Sequence, residues 1–165
     1  MGLDHSLLPN ETLAKVADRN LRQVGGVQYT EAEERFALQL RETLGETKFA
    51  MGSQADIQAF EVKAGRGSTD VGDISWLVPQ AFFFAATTVP GTPNHSWQAV
   101  ASGGMSIGIK GMMVAAKTLA LTAVDLYENP GTIKEAWREL EQKRGKDFTH
   151  QPLLGDRDPP LDYRR

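Results

Sequence analysis

No cysteine occurs among the 165 residues of this chain. That absence removes disulfides, thiolate metal sites and cysteine nucleophiles together, and it suits a reducing compartment, so a cytoplasmic location is expected. Positive charge is not in surplus either: 18 Lys and Arg face 21 Asp and Glu, for a net charge of -3. With no Lys/Arg run long enough to follow a phosphate backbone, no nucleic-acid partner is expected. The opening MGLDHSLLPNETLAK has no basic stretch leading into an apolar one, so it does not read as a secretion signal. Its Met-Gly-Leu-Asp-His-Ser start fits only the loose pattern for myristoylation, which says little by itself. One stretch, 107–127, approaches the length of a membrane span, but it carries Lys110, Lys117 and Asp125. It reads as a buried core helix, and no membrane partner is expected.

What the chain does have is a hydrophobic content of 41% and a size that suits one globular domain over 1–165. Asn10 reads as the N-cap of a helix over about 11–23, stopped by Gly25-Gly26. Thr30-Glu-Ala-Glu33 is a capping box opening a second helix over about 31–44. A short alternation over 57–62 gives a weak strand signal. The run Ala81 to Val89, bounded by Pro79 and Pro90-Gly91, has the composition of a strand buried on both faces, as in parallel sheets. Helices are expected over 107–127 and 132–144, and the Pro-bearing tail 146–165 is expected to lie extended on the surface. The expected class is α/β.

Candidate chemistry concentrates on either side of the apolar run. His95, in Gly91-Thr-Pro-Asn-His-Ser-Trp-Gln98, follows the end of the presumed strand, where open α/β sheets gather ligands. A lone loop histidine is more often polar surface than a metal ligand, and a metal site needs three or more donors. His5 and His150 form no H-x-x-x-H or H-x-D pattern and read as structural or solvated. Asp70 and Asp73 stand in a Gly-rich loop before the run, where they either face the same crevice as His95 or cap a short helix near Ile74-Ser-Trp76. Glu33-Glu34 lies in the first turn of a capped helix, which accounts for it without a catalytic role. No serine sits in a nucleophile elbow.

In order, Gly67-Ser-Thr-Asp-Val-Gly-Asp-Ile-Ser-Trp76, the Phe-rich run, the His95 loop and Gly111-Met-Met-Val-Ala-Ala-Lys117 resemble the C-terminal part of the metal-dependent amidohydrolases and exopeptidases that include glutamate carboxypeptidase and aminoacylase. The resemblance runs from about Leu7 to Tyr163. It implies the C-terminal portion of a three-layer αβα catalytic domain, and hydrolysis of N-acyl or aminobenzoyl amino-acid amide bonds at paired divalent metals, zinc or manganese, whose bound water a glutamate deprotonates. It also implies His95 as a metal ligand, and Gly67, Ser68, Thr69 and Asp70 as the lining of a pocket for an N-acyl amino acid or dipeptide-like substrate.

Two departures qualify those implications. The H-x-D, the catalytic Glu-Glu pair and the inserted lid of the family have no counterpart here, so the metal site is expected to be incomplete and the isolated chain inactive. Relatives tend to read Gly-His-Lys-Gly-Met where this chain has Gly108-Ile109-Lys-Gly-Met112. A homo-oligomer, or a complementing N-terminal half, is therefore expected to cover what one chain leaves open. The competing reading is a non-catalytic remnant or a self-assembling interaction module.

Overall fold

The computed structural model describes residues 5–62 and 69–151 together with Gly155, Asp158 and Leu161. Its elements are helical: α1 (Glu11–Val24), α2 (Glu31–Arg41), a 3-10 turn (Ser53–Ala55), α3 (Val71–Leu77), α4 (Trp97–Gly103), α5 (Ser106–Glu128) and α6 (Pro130–Arg144). They belong to two compact units, one formed by Met1–Leu13, Val62–Ala81 and Gly131–Arg165, the other by Ala14–Glu61 and Phe82–Pro130.

Local chemistry sets most helix ends. Asn10 caps α1 as expected, its Oδ1 accepting from the Leu13 N–H at 3.0 Å while its Nδ2 donates to the Ala136 carbonyl of α6 at 2.8 Å. The capping box of α2 is complete: the Glu33 N–H donates to Thr30 Oγ1 at 3.3 Å, and the Thr30 N–H donates back to Glu33 Oε2 at 2.6 Å. Both groups satisfy donors that a helix start leaves unpaired. Helix α6 begins at Pro130, whose fixed φ suits a first helical position.

The three-layer αβα reading is overturned. Among the described residues there is no strand, neither over 57–62 nor over 81–89. The Ala81 to Val89 segment pairs in no ladder, and its side chains are not covered on two faces: Phe82 is 51% and Phe84 90% exposed. Composition can mark a segment as fit for a sheet interior, but a strand exists only where a neighbour takes its N–H and C=O groups.

Helix α5 does pack against this segment. A Cβ at Gly111 would run into the Ala86 carbonyl oxygen, so the bare glycine is what lets the helix and the backbone of this segment approach. The core beside it consists of Ala37, Leu40, Val89 and Ile107, with Tyr29, Phe36, Met51, Ala101 and Met105 against them. The expectation of a buried core helix over 107–127 is corrected as well. Only Ile107, Gly108, Gly111 and Thr118 of α5 are buried, and Ile109, Met112, Met113, Leu119, Val124 and Tyr127 leave apolar surface exposed. By length and composition α5 could cross a membrane.

Candidate functional site

The His95 loop is built tightly. After buried Val89 the chain turns, with the Thr92 N–H donating to the Val89 carbonyl at 3.0 Å. Ser96 then N-caps α4: its Oγ accepts from the Ala99 N–H at 3.2 Å and donates to the Pro93 carbonyl at 2.7 Å. Gln98 fastens α4 to the end of α2 through the Thr43 carbonyl and hydroxyl, both at 3.3 Å. Between these fixed points His95 adopts φ 59°, the one positive φ outside glycine among the described residues. The left-handed region costs an L-residue about 1–2 kcal/mol. The loop therefore holds His95 in a strained conformation and presents it exposed to solvent just before α4. Within its compact unit, no group of three metal-ligating side chains among the described residues includes His95.

The Gly-rich loop is described only in part, because Gly67 and Ser68 lie outside the described residues. Thr69 Oγ1 accepts from the Val71 N–H at 3.3 Å, so Thr69 satisfies a donor at the start of α3. Asp70 occupies the N-cap position without a side-chain capping bond and is exposed.

Asp73 does something else. Its Oδ1 accepts from the His5 backbone N–H at 3.0 Å and stands 3.9 Å from His150 Nε2. The segment bearing His5 is laid along α3 by further bonds: the Leu8 N–H to Ser75 Oγ at 2.9 Å, and Trp76 Nε1 to the Ser6 carbonyl at 2.8 Å. Gly72 permits this, since a Cβ there would overlap the His5 carbonyl oxygen. The His5 ring lies 5.6 Å from Trp76 and 5.7 Å from His150, with Phe148 5.0 Å from Trp76. One ligand atom each from His5, Asp73 and His150 falls within 4.8 Å of the others. By sequence both histidines read as structural or solvated. No local spacing could have joined them, because the three residues come from the N-terminal segment, α3 and the segment after α6, and the His5–Asp73 pair alone spans 68 positions.

Glu33 was legible only in half of its role. It caps α2 as read, yet it also pairs with Lys110 of α5, Nζ to Oε2 at 2.5 Å, while Lys110 donates to the Gln28 carbonyl at 2.9 Å. Lys110, then the Ser106 hydroxyl and the Thr30 backbone, hold the Glu33 carboxyl down at about 2. A carboxylate so firmly ionised is a poor general base near neutral pH. Beside it, burial first and the Glu33 charge second push the Tyr29 hydroxyl up to about 12.

The chain is 34% identical over 173 aligned positions to a p-aminobenzoyl-glutamate hydrolase subunit of Escherichia coli (strain K12), a match taking in 90% of this chain and 36% of that protein. The chain thus spans about a third of the length of the curated relative it matches. The resemblance read from the ordered motifs is borne out by this similarity. No family model matches the chain, and no solved structure matches it.

Proposed function

We propose that this chain, similar over 90% of its length to a p-aminobenzoyl-glutamate hydrolase subunit, is the part of a metal-dependent amidohydrolase that carries one metal ligand and substrate-lining residues. The observation that carries this reading is the His95 loop. A histidine kept at φ 59° by a serine cap and a turn is a side chain whose direction is maintained against a backbone cost, and strain of that kind gathers at active sites and ligand clamps.

In this reading His95 would supply one imidazole to a divalent metal, zinc or manganese, and the role in lining a pocket for an N-acyl or aminobenzoyl amino acid that the resemblance implies for Gly67, Ser68, Thr69 and Asp70 is proposed separately, since His95 and those four residues belong to different compact units. When bound, the metal pair supplies Lewis acidity for the amide carbonyl and a water acidic enough to be deprotonated near neutral pH. This chain's own residues orient and hold: the Ser96 cap fixes the loop that bears the imidazole, and the exposed Asp70 offers a carboxylate at the head of α3. One imidazole is below the three protein donors of a catalytic zinc site, so the remaining ligands come from outside these 165 residues. The exposed apolar surface of α5 supports association with a further segment or chain, because folded proteins cover such surface. A cytoplasmic setting suits the cysteine-free composition.

The test is complementation. The purified chain alone is expected not to turn over p-aminobenzoyl-glutamate or an N-acyl glutamate. Addition of a chain bearing the family's H-x-D and Glu-Glu ligands restores chelator-sensitive hydrolysis, and His95→Ala abolishes it while leaving the helical content unchanged. Steady, chelator-sensitive turnover by the isolated chain overturns the incomplete-site reading.

A further inference from the structure

The clearest unassigned chemistry lies where His5, Asp73 and His150 converge. His5 Nε2 and His150 Nε2 are both buried, and neither has a hydrogen-bond partner among the described residues. An unpaired buried nitrogen costs about 1–3 kcal/mol, and a fold rarely carries two in one place without something that satisfies them. Between them stands a carboxylate. Asp73 Oδ1 is 3.9 Å from His150 Nε2, too long for a hydrogen bond and suited to a ligand placed between the two groups.

We propose that His5, Asp73 and His150 form a binding site for a divalent cation of the zinc class. The donor set is chemically apt, since two neutral imidazole nitrogens and one carboxylate oxygen are what borderline ions such as Zn2+ and Co2+ take, with a fourth position left for water or an exchangeable ligand. The spacing is apt as well. Ligand atoms about 2 Å from a tetrahedral ion stand about 3.3 Å from one another. The three atoms here lie within 4.8 Å, so closure requires them to move inward by roughly 1 Å, which small side-chain rotations supply.

The frame is already rigid. Asp73 is oriented by the His5 N–H at 3.0 Å, Trp76 Nε1 fastens Ser6 at 2.8 Å, and Arg144 Nη1 holds the Trp76 carbonyl at 2.7 Å. Backbone donation to a ligating carboxylate is the kind of outer contact that sets a ligand's direction. Trp76 and Phe148, whose rings are 5.0 Å apart, wall the site with apolar surface, and the nearby Arg144 charge stands over the Phe148 ring at 5.8 Å rather than on Asp73. All three donors lie in one compact unit, formed by the N-terminal segment, α3 and the chain after α6. The cation therefore ties three distant parts of the sequence together and stabilises that unit by binding only its folded form.

This inference does not rest on the amidohydrolase reading, whose ligand is His95. The experiment uses the full chain stripped with chelator and titrated with Zn2+ by calorimetry and with Co2+ by visible absorption. Imidazole proton resonances are followed through the Zn2+ titration, and Cu2+ quenching of Trp76 emission is measured against a Trp76→Phe control. One Zn2+ per chain, a tetrahedral Co2+ spectrum, perturbation of the His5 and His150 resonances and quenching lost in Trp76→Phe are expected. Asp73→Asn, which keeps an acceptor for the His5 N–H, and His150→Gln are expected to weaken Zn2+ binding at least about 100-fold with unchanged circular dichroism, while Glu34→Gln, at an exposed carboxylate of α2, binds as the parent does. Binding that survives Asp73→Asn and His150→Gln but fails in His95→Ala overturns the proposal. So does a folded parent chain whose His5 and His150 resonances do not respond to Zn2+.

Discussion

Lys110 of α5 and Glu33 of α2 form an ion pair, Nζ to Oε2 at 2.5 Å, with the carboxylate almost fully buried and the ammonium partly exposed. The same carboxylate receives the Thr30 N–H, so one side chain both caps α2 and ties it to α5. Glu33→Gln separates the two roles, because glutamine completes a capping box but carries no charge. The folded carboxyl titrates at about 2 against 4.5 for the free group, so its contribution is complete above about pH 4.5 and is lost as pH falls toward 2. At pH 7 the variant is expected to be about 2 kcal/mol less stable, by denaturant titration, with the difference vanishing near pH 2. A gap of equal size at both pH values would show that packing, not charge, makes the contribution.

Glu139 of α6 caps α1 from outside the helix. It accepts from the Glu11 N–H at 2.6 Å, the Thr12 N–H at 2.9 Å and the Thr12 hydroxyl at 2.7 Å, and it pairs with Lys143 at 2.8 Å. Burial pushes this carboxyl up, but Lys143, the Thr12 hydroxyl and the two backbone donors outweigh it and hold it at about 2. Glu139→Ala should lower stability by about 2 kcal/mol and speed amide hydrogen exchange at Glu11 and Thr12 more than elsewhere in α1. Uniform exchange along α1 would contradict a cap.

The φ of 59° at His95 sets a side-chain requirement that does not depend on metal. Glycine enters that region freely and a β-branched residue does not. His95→Val is expected to be less stable than His95→Gly by about 1–2 kcal/mol, measured by thermal unfolding. Equal melting temperatures would mean that the loop relaxes and does not enforce the conformation.

Gly72 is the point at which the His5 segment crosses α3, leaving no room for a methyl group. Gly72→Ala should cost about 2 kcal/mol and free the Trp76 indole N–H from the Ser6 carbonyl, seen as a red shift of Trp76 emission against a Trp76→Phe background. An unshifted spectrum with parental stability would show that the segment docks without the close approach.

The helices were legible because their signals are local. Asn10, Thr30 with Glu33, and Gly25-Gly26 act within a few positions of themselves, and they placed α1 and the start of α2 correctly. The end of α2 was read too far, to residue 44 where the helix stops at Arg41, since no glycine or proline before Gly45 marks it. The motifs around Thr69, Asp70 and His95 were legible in another way, as an ordered set resembling a family, which speaks for ancestry and leaves geometry open.

By itself the sequence determined helix starts, charge balance, the lack of thiol chemistry and the kinship with a hydrolase subunit, because each of these is carried by residue type or by neighbours along the chain. Tertiary structure alone decided three other matters. It left the Ala81 to Val89 segment with no ladder, since a strand is a property of two segments and the apolar composition of one cannot supply the other. It gave Glu33 its partner 77 positions away, and it gathered His5, Asp73 and His150, residues that share no period and no spacing, around one point. Contacts of that separation are set by the packing of whole elements, which no window along the chain contains.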